Sequence, residues 1–553
     1  MSATRIGESP RRVGGYERVT GAQRYMADLR LEDMLHVKLV HVDCAHARIR
    51  AIDTVQARGI EDVRFVMTAD DLPRPVPRFG PSYRDRPVLA VEETKYHGEP
   101  VAAVAAETSD AAAAAAAMVR VDYDELPAVV TVAGAIDSQS TLVQDPALRP
   151  DDPLGATNVL REWHYGWGNI DDAPVDLTIE NHYSFPMVTH FAIEPHVFMA
   201  APEEDGVVIW SAIQHPYLLQ RVIATMLDLP VAKVRVIAPD PGGGFGGKGY
   251  PKYEPLLALL ALRTGRPVRL VLTLEETFQA VRRSSCEVRV RTGFDSGGTI
   301  AFQDIESNFL IGAYVDVAAR VVGKSSYAAC GPYRVPHARI VARALLSHTT
   351  PSTAFRGFGT PQHSWAVESQ MDEAARRLHV DRLEIRLRNL AERGDDVIPG
   401  DTPADGNWAE VLHKAAEAVG WETPPGEGRG RGIAVGMKAS ATAGASYSIV
   451  RLHYDGSVSV VAGTSDMGQG ARTVVSQIVS HELGVPLGRI MVVMGDTATV
   501  PFDYSTSASR STVYMGRAVL NACLNIKTQL EDLAVDRFLL SQQEVSVDRD
   551  VIR

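Results

Sequence analysis

The sequence predicts an α/β protein built from three successive parts. Strand-like and helix-like runs alternate from residue 16 to about 130, and a second alternating region extends from about 160 to 400. A segment rich in proline and glycine at 423–430 interrupts the pattern, after which strand and helix signals resume. Because the 553 residues exceed the usual size of one domain, more than one hydrophobic core is expected.

The first part has the signals of a small α/β domain. Apolar runs at 35–40 and 101–106 predict buried strands, and so does the alternating run at 119–123. Ser109 and Asp110 offer an N-cap to the alanine run that follows them, which predicts a packed helix. A loop rich in aspartate and proline follows, so this part is predicted to span 14–135.

The second part is predicted to span 155–400. An apolar run at 234–238 predicts a buried strand directly before a glycine cluster. Helices are predicted at 254–263 and at 362–379, the second because its apolar residues recur on one face.

The third part is predicted to span 425–553. Strands are predicted near 449–453 and 457–462, and a helix near 473–483. Between them lies a further glycine cluster, so that two parts of the chain each contain a strand that leads into a glycine loop.

Charge and hydropathy exclude several classes of function. The net charge of −12 disfavours a nucleic-acid partner, because binding phosphates requires a basic surface. No apolar run reaches the ~18 residues of a membrane-spanning helix, and the first residues lack the apolar core of a signal peptide. The cysteines are scattered, without the close spacings of zinc or iron–sulfur sites: Cys44, Cys286, Cys330 and Cys523. We therefore expect a cytoplasmic protein that acts on a small molecule.

Three glycine clusters are the most informative feature of the chain. They lie at 242–248 (Gly-Gly-Gly-Phe-Gly-Gly-Lys), 354–359 (Ala-Phe-Arg-Gly-Phe-Gly) and 466–470 (Asp-Met-Gly-Gln-Gly). Glycine lets the backbone approach a ligand closely. Three such clusters, far apart in sequence, suggest that several loops hold one large polar ligand.

The first cluster also matches two nucleotide-binding patterns, and each fails at a necessary residue. As a dinucleotide loop it lacks the acidic residue expected about 20 positions further on. As a P-loop it has Gly249 where a serine or threonine would bind magnesium. A glycine turn without a ligand remains an alternative for this segment alone.

Together these segments resemble the molybdenum-binding large subunit of the molybdenum hydroxylases, the family of xanthine dehydrogenase and aldehyde oxidase. The resemblance runs from about residue 14 to the end of the chain. It implies a small N-terminal α/β domain of the hammerhead type, followed by two α/β domains that bind the molybdenum cofactor, the second incomplete. Besides the glycine clusters, its landmarks are 96–104, 123–127, 194–195, 368, 371–375, 386–389, 495–497 and 508–511.

In that family a pterin carries the molybdenum, so the protein surrounds the metal without ligating it through side chains. The resemblance implies that Gln214 hydrogen-bonds an oxo group and that Arg356 complements the negative charge of the centre. It also implies that the backbone of the first cluster lies beside the metal, at Gly244, Phe245 and Gly246. The outer shell of the metal would comprise Gln214, Phe245, Arg356 and Ala508.

The resemblance assigns further residues to the substrate and the pterin. Phe358 matches a position that stacks on planar substrates, so Phe358 and Gln214 are the implied catalytic residues. Gln469, between Gly468 and Gly470, would hydrogen-bond the pterin. Donors near the metal and the pyrophosphate would come from Ala508, Ser509, Arg510 and Ser511. Because these segments flank the linker, the cofactor is expected between two domains.

The implied activity is the oxidation of an aldehyde or an N-heteroaromatic carbon, with water as the source of oxygen. Neither an iron–sulfur nor a flavin motif is visible in the sequence. Electrons are therefore expected to pass to separate subunits, one with a 2Fe–2S cluster and one with FAD. The cofactor is expected in the cytosine dinucleotide form of molybdopterin.

Two departures from the family pattern narrow the substrate. Gly249 stands where purine-oxidising members carry a glutamate, which argues against xanthine. The loop at 354–359 contains no cysteine, whereas the carbon monoxide dehydrogenases of the family place one there for copper.

The general base of the family is the third departure. It is a glutamate in a Gly-x-Gly-Glu stretch, which has no counterpart before Arg553, and Glu427 belongs to the linker. If the chain is a full-length subunit, we expect a second chain to complete the third part and to bring this glutamate; otherwise the chain is a truncation. If the isolated chain were active, the base would be sought among Glu194, Glu275, Glu276 and Glu368.

Two other classes of function stay open. One is a cofactor-binding remnant without catalysis. The other is a nucleotide-dependent oxidoreductase that uses the glycine loop at 242–247.

Overall fold

The computed structural model describes residues 3–438, 444–539, 541–548 and 551–552. Its strands, in chain order, are β1 (Leu35–His41), β2 (Ala47–Asp53), β3 (Val63–Met67), β4 (Arg78–Phe79), β5 (Arg86–Pro87), β6 (Glu93–Thr94), β7 (Pro100–Ala106), β8 (Arg120–Glu125), β9 (Val159–Trp167), β10 (Leu177–Phe185), β11 (Val197–Glu203), β12 (Gly206–Ser211), β13 (Val234–Ile237), β14 (Val268–Val271), β15 (Ser285–Phe294), β16 (Ile300–Gly312), β17 (His337–Leu346), β18 (Ser448–Leu452), β19 (Val458–Ala462), β20 (Ile490–Val493), β21 (Val547–Asp548) and β22 (Val551–Ile552).

The α-helices alternate with these strands through most of the chain. In chain order they are α1 (Gly15–Val19), α2 (Val55–Arg58), α3 (Ser109–Met118), α4 (Val132–Ile136), α5 (Pro216–Leu227), α6 (Glu254–Thr264), α7 (Leu274–Ala280), α8 (Ala318–Tyr327), α9 (Thr360–Leu378), α10 (Arg382–Asn389), α11 (Trp408–Val419), α12 (Ala471–Leu483) and α13 (Arg510–Phe538). Within the described residues, no helix is both long enough and apolar enough to cross a membrane.

The chain divides into two compact units, each assembled from separate stretches of sequence. The first comprises Met1–Leu126, His190–Ala280 and Ser440–Arg553, and the second comprises Pro127–Thr189 and Val281–Ala439. These units are defined by spatial compactness, whereas the three predicted parts are consecutive stretches of sequence. The predicted bounds of those parts, 14–135, 155–400 and 425–553, therefore stay a prediction.

A seven-stranded mixed sheet forms the centre of the first unit. Its strand order is β13-β12-β11-β14-β1-β7-β3, so strands from two distant stretches of sequence share one sheet. Helix α6 packs on this sheet, with eight consecutive residues from Glu254 to Ala261 buried. These residues are apolar apart from Glu254, which explains why the helix is buried on all sides.

A smaller sheet in the same unit carries the third part of the chain. Strands β18, β19 and β20 pair in that order, and α12 and α13 pack on one face. Val450, Val460 and Val492 are in register; Val460 belongs to the buried core, and the other two pack against it. Successive side chains alternate between the faces of a strand, so the neighbouring Ile449 and Met491 lie on the opposite face. There they are 42% and 61% exposed.

The second unit is built on a five-stranded sheet of order β10-β15-β16-β17-β9. Helix α9 packs on β15 and β10. Its buried residues include Val367, Met371 and Ala374, the apolar stripe from which the sequence predicted this helix.

The predicted cap of α3 is wrong by one position. The N-cap is Thr108, whose hydroxyl oxygen accepts the Ala111 amide hydrogen at 3.1 Å, while Ser109 is already the first helical residue. Thr108 has the extended backbone that an N-cap requires, with φ of −128°.

The end of β13 meets the third part of the chain, which positions the site described below. Val236 N donates to Thr497 Oγ1 at 2.9 Å, and Ala238 N donates to Gly495 O at 2.5 Å. Gly495 has a φ of 87°, and a Cβ there would collide with the Ala238 carbonyl. Only glycine therefore allows this close approach.

Candidate functional site

Gln214 joins two of the segments that the sequence singled out. It lies between β12 and α5 and is 4% exposed. Its Oε1 accepts from Gly246 N at 2.9 Å, and its Nε2 donates to Thr506 O at 3.1 Å. The backbone adds two bonds, from Gln214 N to Lys248 O at 2.8 Å and from Thr506 N to Gln214 O at 3.2 Å. The carboxamide thus connects the first glycine cluster to the segment before α13.

The first glycine cluster forms a tight loop after β13. A Cβ added at Gly244 would lie 3.0 Å from Gln214 Oε1 and 3.2 Å from Met467 Sδ, so this loop also meets the third cluster. Phe245 has a φ of 53°, an uncommon left-handed conformation for a bulky residue. Such strained residues concentrate at ligand sites, where the surrounding structure holds them in place.

Asp466 organises the third glycine cluster at the start of α12. Its carboxylate is 2% exposed and accepts from three backbone amides: Gly468 N at 3.0 Å, Gly470 N at 3.3 Å and Arg472 N at 3.1 Å. Arg12 Nη1 donates to Gly468 O at 2.7 Å from the other side. The loop is therefore fixed by a carboxylate and a guanidinium that lie far apart in sequence.

The side chain of Gln469 folds back on its own loop. Its Oε1 accepts from Met467 N at 2.6 Å, and its Nε2 donates to Ser465 O at 2.9 Å. Gln469 was predicted to hydrogen-bond the pterin, and that role stays a prediction. A carboxamide nitrogen carries two hydrogens, so one donor of Gln469 is not used by the Ser465 contact.

A chain of hydroxyl groups connects the third cluster to the start of α13. Thr464 Oγ1 lies 3.0 Å from Thr506 Oγ1 and 2.9 Å from Ser511 Oγ, and Ser465 N donates to Thr506 Oγ1 at 2.8 Å. Ala508 and Ser509 have φ values of 50° and 63°, so the backbone is strained here as well. The structure thus brings together the first and third glycine clusters and the segment 508–511.

Arg510 differs from its neighbours in this segment. Its side chain is buried, lies 4.1 Å over the Tyr514 ring, and donates through Nη2 to Ala445 O and Ser446 Oγ, each at 3.3 Å. These contacts belong to the packing of the third part. The predicted role of Arg510 near the pyrophosphate stays a prediction.

Arg356 and Phe358 lie in the second compact unit, in the loop that connects β17 to α9. Arg283 Nη2 donates to Arg356 O at 2.6 Å, and the Arg283 guanidinium lies 4.1 Å over the ring of Phe355. Burial lowers the pKa of Arg283 to about 10. Phe358 has a φ of 52° and precedes Gly359, the N-cap of α9. The loop that carries both predicted residues is thus held by a cation that stacks on an aromatic ring.

Two of the glutamates considered as alternative bases are engaged in buried ion pairs. Glu194 binds Lys248 Nζ at 2.7 Å. Glu368 binds Arg386 Nε at 2.7 Å and also accepts from the Tyr333 hydroxyl. The other two lie at the start of α7, where Glu276 pairs with Lys38 and Glu275 is exposed.

The sequence did not reveal the supporting residues of this site. Asp466 is the first residue of the third glycine cluster and Thr506 adjoins the segment 508–511, so their positions were visible, but their hydrogen bonds depend on the tertiary fold. Arg12 gave no signal of a link to Gly468, because 456 positions separate the two residues.

Ser465 and the third glycine cluster fit a large polar ligand such as molybdopterin. A Cβ at Gly468 or Gly470 would meet no heavy atom within 4 Å, so the backbone is open there. Ser465 Oγ is buried and has no hydrogen-bond partner among the described residues. An open backbone at a helix start, beside a buried hydroxyl that needs a partner, suits a ligand rich in nitrogen and oxygen atoms.

Comparison with protein families accounts for nearly the whole chain. Two profiles described as molybdopterin cofactor-binding domains match residues 153–390 and 404–553. A profile described as the a/b hammerhead domain of aldehyde oxidase and xanthine dehydrogenase matches residues 20–127. These matches confirm the predicted fold class, a hammerhead domain followed by two cofactor-binding domains.

Curated relatives agree with the profiles. The chain is 31% identical over 551 residues to the xanthine dehydrogenase molybdenum-binding subunit of Escherichia coli, a match that covers 94% of this chain and 71% of the relative. It is 30% identical over 426 residues to the nicotinate dehydrogenase large molybdopterin subunit of Eubacterium barkeri, covering 75% of this chain and 98% of that protein.

Solved structures show the same fold. The aldehyde oxidoreductase of Desulfovibrio gigas superposes with a TM-score of 0.81 at 26% identity, over 94% of this chain and 59% of that protein. Quinoline 2-oxidoreductase of Pseudomonas putida superposes with a TM-score of 0.86 at 24% identity, over 100% of this chain and 75% of that protein. The chain belongs to the xanthine dehydrogenase and aldehyde oxidase family, as a molybdopterin-binding subunit of a molybdenum hydroxylase.

Proposed function

We propose that this chain binds the substrate of a hydroxylase that oxidises an aldehyde or an N-heteroaromatic carbon, with water as the source of oxygen. The observation that carries the proposal is the position of Gln214, whose carboxamide connects the first glycine loop to Thr506. Bound molybdopterin would supply the two-electron redox chemistry at that place.

The residues of the chain would hold this cofactor and orient the substrate. The contact with Thr506 uses only one of the two hydrogens on Gln214 Nε2, so the second can donate to an oxo group. The backbone at Gly244, Phe245, Gly246 and Ala508 would complete the surroundings of the metal. Pterin and pyrophosphate groups would be bound by Gly468, Gln469, Gly470, Ser509, Arg510 and Ser511.

The loop in the second unit would supply charge and stacking. Arg356 is exposed, and a guanidinium complements the charge of an anionic centre. Phe358 would stack on a planar substrate. The proposal therefore assigns Arg356 to cofactor binding. It assigns Phe358 and Gln214 to catalysis.

The remaining features of the proposal concern the complex in which the chain works. We include molybdopterin in its cytosine dinucleotide form, and partner subunits that carry 2Fe–2S and FAD. The names of the two curated relatives support a complex of several subunits, since both describe subunits. A cytoplasmic location is included because all four cysteines are free thiols and are buried.

The catalytic glutamate would be supplied from outside residues 1–553, by a second polypeptide or by a longer form of this chain. The outer face of the sheet β18-β19-β20 is a candidate surface for a second polypeptide, because Ile449 on β18 and Met491 on β20 are exposed there, on the two strands that flank β19. Exposed apolar side chains on a sheet face mark a surface for a partner. Glu194 and Glu368 are poor substitutes for that base, because each is already held by a buried cation.

Metal and pterin analysis of the native protein tests the proposal. Purified with its natural partners, the protein is expected to contain about one molybdenum and one pterin per chain. Stoichiometric zinc, or bound NAD in place of molybdenum, would contradict the proposal. The nucleotide alternative lacks structural support, because α6 begins only at Glu254 and the glycine loop does not open a helix.

A further inference from the structure

We propose that the buried ion pair between Glu194 and Lys248 positions the first glycine loop for the cofactor. Both are positioning residues, since they act through the backbone of 242–248. The inference deepens the proposed function and rests on it for the identity of the ligand. The shape of the loop can be tested without the ligand.

One carboxylate holds both ends of the loop. Glu194 Oε2 accepts from Gly242 N at 2.8 Å and from Lys248 Nζ at 2.7 Å. The backbone repeats the pattern, because Glu194 N donates to Gly242 O at 3.2 Å and Lys248 Nζ donates to Glu194 O at 3.1 Å. The first and last residues of the cluster are therefore bound to the same residue.

The contacts leave little room for another arrangement. A Cβ at Gly242 would lie 2.5 Å from Glu194 Cβ, so the loop passes directly against this side chain. Glu194 Oε1 accepts from Ala27 N at 3.2 Å, which ties the carboxylate to a third segment. Both carboxylate oxygens are thus engaged.

The ion pair also acts on Gln214. Lys248 O accepts from Gln214 N at 2.8 Å, and Gly246 N donates to Gln214 Oε1 at 2.9 Å. If the loop moved, the carboxamide that is proposed to face the metal would move with it. The pair therefore sets the position of Gln214 as well as that of the loop.

Stability alone does not account for this pair. The side chains of Lys248 and Glu194 are 5% and 6% exposed, and burial lowers the pKa of Lys248 against the attraction of Glu194. An apolar pair of similar volume commonly stabilises a fold as well as a buried ion pair does. What an apolar pair lacks is an acceptor for Gly242 N and a donor for Glu194 O.

Two double variants separate positioning from stability. E194M/K248M replaces the pair by apolar side chains and removes every acceptor for Gly242 N. E194Q/K248M is also uncharged but keeps a carbonyl oxygen that can accept from Gly242 N. K252M is the matched control, because Lys252 is buried in the same region and donates to Tyr250 O at 3.0 Å, outside the loop.

Three quantities are measured on the full chain. They are the midpoint of thermal unfolding, the molybdenum and pterin content of the natively purified complex, and amide hydrogen exchange at 242–248 in cofactor-free protein. We expect both double variants to unfold within a few degrees of the unmodified chain. In E194M/K248M, cofactor content should fall by about 10- to 100-fold and exchange in the loop should accelerate. E194Q/K248M and K252M should keep most of the cofactor and most of the protection of the loop amides from exchange.

Normal exchange at 242–248 in E194M/K248M, together with normal cofactor content, would overturn the inference. An equal loss in E194Q/K248M would also overturn it, because the loss would then follow the charge and not the acceptor. If the unmodified chain itself contains no molybdenum or pterin, the proposed function fails. The exchange data on cofactor-free protein then still decide whether the pair holds the loop.

Discussion

At the scale of single residues, each of three polar side chains of the site binds backbone groups of a loop. Gln214 binds the backbone of Gly246 and Thr506, Glu194 binds that of Gly242, and Asp466 binds the amides before α12. Backbone groups are present at every position, so such contacts fix the path of a loop whatever its side chains are. The glycine loops can therefore stay open to a ligand and still be well defined.

Replacing Gln214 by alanine tests the most important of these contacts. We expect turnover to fall by roughly 30- to 1000-fold, because a charge-assisted hydrogen bond in a desolvated site contributes about 2–4 kcal/mol to transition-state stabilisation. Steady-state kinetics normalised to molybdenum content measures this effect. Gln220→Ala is the control, since Gln220 is also buried and donates to Val234 O at 2.7 Å, away from the loop. If Gln214→Ala kept normal turnover at unchanged metal content, the assignment of Gln214 would be wrong.

How much of the site could be predicted from sequence differs from residue to residue. The motif singled out both Gln214 and Gly244, and the two lie together in the fold. The side chains of Gln469 and Arg510 were not predictable, since each selects among several local acceptors and donors. Glu194 was considered as an alternative base, whereas the structure pairs it with Lys248, a residue that sequence alone placed only in the glycine cluster.

At the scale of elements, the segment between β20 and α13 contains a buried carboxyl group. Asp503 is 4% exposed. Burial raises its pKa to about 6, while the Ser446 hydroxyl and the positive charge of Arg510 oppose the shift. Because the folded protein holds this proton more tightly than the unfolded chain does, Asp503 lowers stability as pH rises through this range.

Replacing Asp503 by asparagine should remove that pH dependence. The pKa of Asp503 lies near 6 in the folded protein and near 3.8 when exposed. The stabilisation of the fold by the protonated carboxyl group is therefore complete below about pH 4 and is lost by about pH 6. Relative to the variant, the unmodified protein should lose about 3 kcal/mol of unfolding free energy between these limits. Denaturant unfolding at a series of pH values measures the difference. An exposed turn residue, Asp205, gives the control variant Asp205→Asn. A difference that stays constant from pH 4 to 7 would contradict the assignment.

The elements themselves were largely predictable, whereas their pairing was not. Helices α6 and α12 lie at Glu254–Thr264 and Ala471–Leu483, close to the predicted ranges, because apolar spacing and flanking glycines are local signals. The sheet order β13-β12-β11-β14-β1 joins strands from two distant stretches, and no local signal encodes such a pairing. The glycine loop after β13 was recognisable, but the contact between Ala238, which directly follows β13, and Gly495 was not.

At the scale of the whole molecule, each compact unit draws on separate stretches of the chain. The first unit takes its residues from three stretches and the second from two. The contacts within the first unit therefore close large loops of sequence, and this is expected to slow folding relative to a chain of the same length with local contacts.

The proposed partners can be tested by purification of the tagged chain from its natural source. We expect polypeptides that carry a 2Fe–2S cluster and FAD to copurify, with the absorbance of both groups. The variant I449E/M491E should lose the polypeptide that covers the β18-β19-β20 sheet, because a charge on an apolar interface is costly to bury. V411E alters an exposed residue of α11 in the other unit and should lose nothing. Retention of every partner by I449E/M491E would exclude this face as an interface.

The left-handed backbone at Phe245, Phe358 and Ala508 has a consequence for protein engineering. A non-glycine residue in that conformation costs of order 1 kcal/mol or more, a penalty that glycine avoids. A screen for resistance to heat would therefore favour glycine at these three positions, each of which lies in a segment assigned to the cofactor or the substrate. Selection for thermal stability would favour glycine at these positions, whereas selection for turnover would keep the present residues.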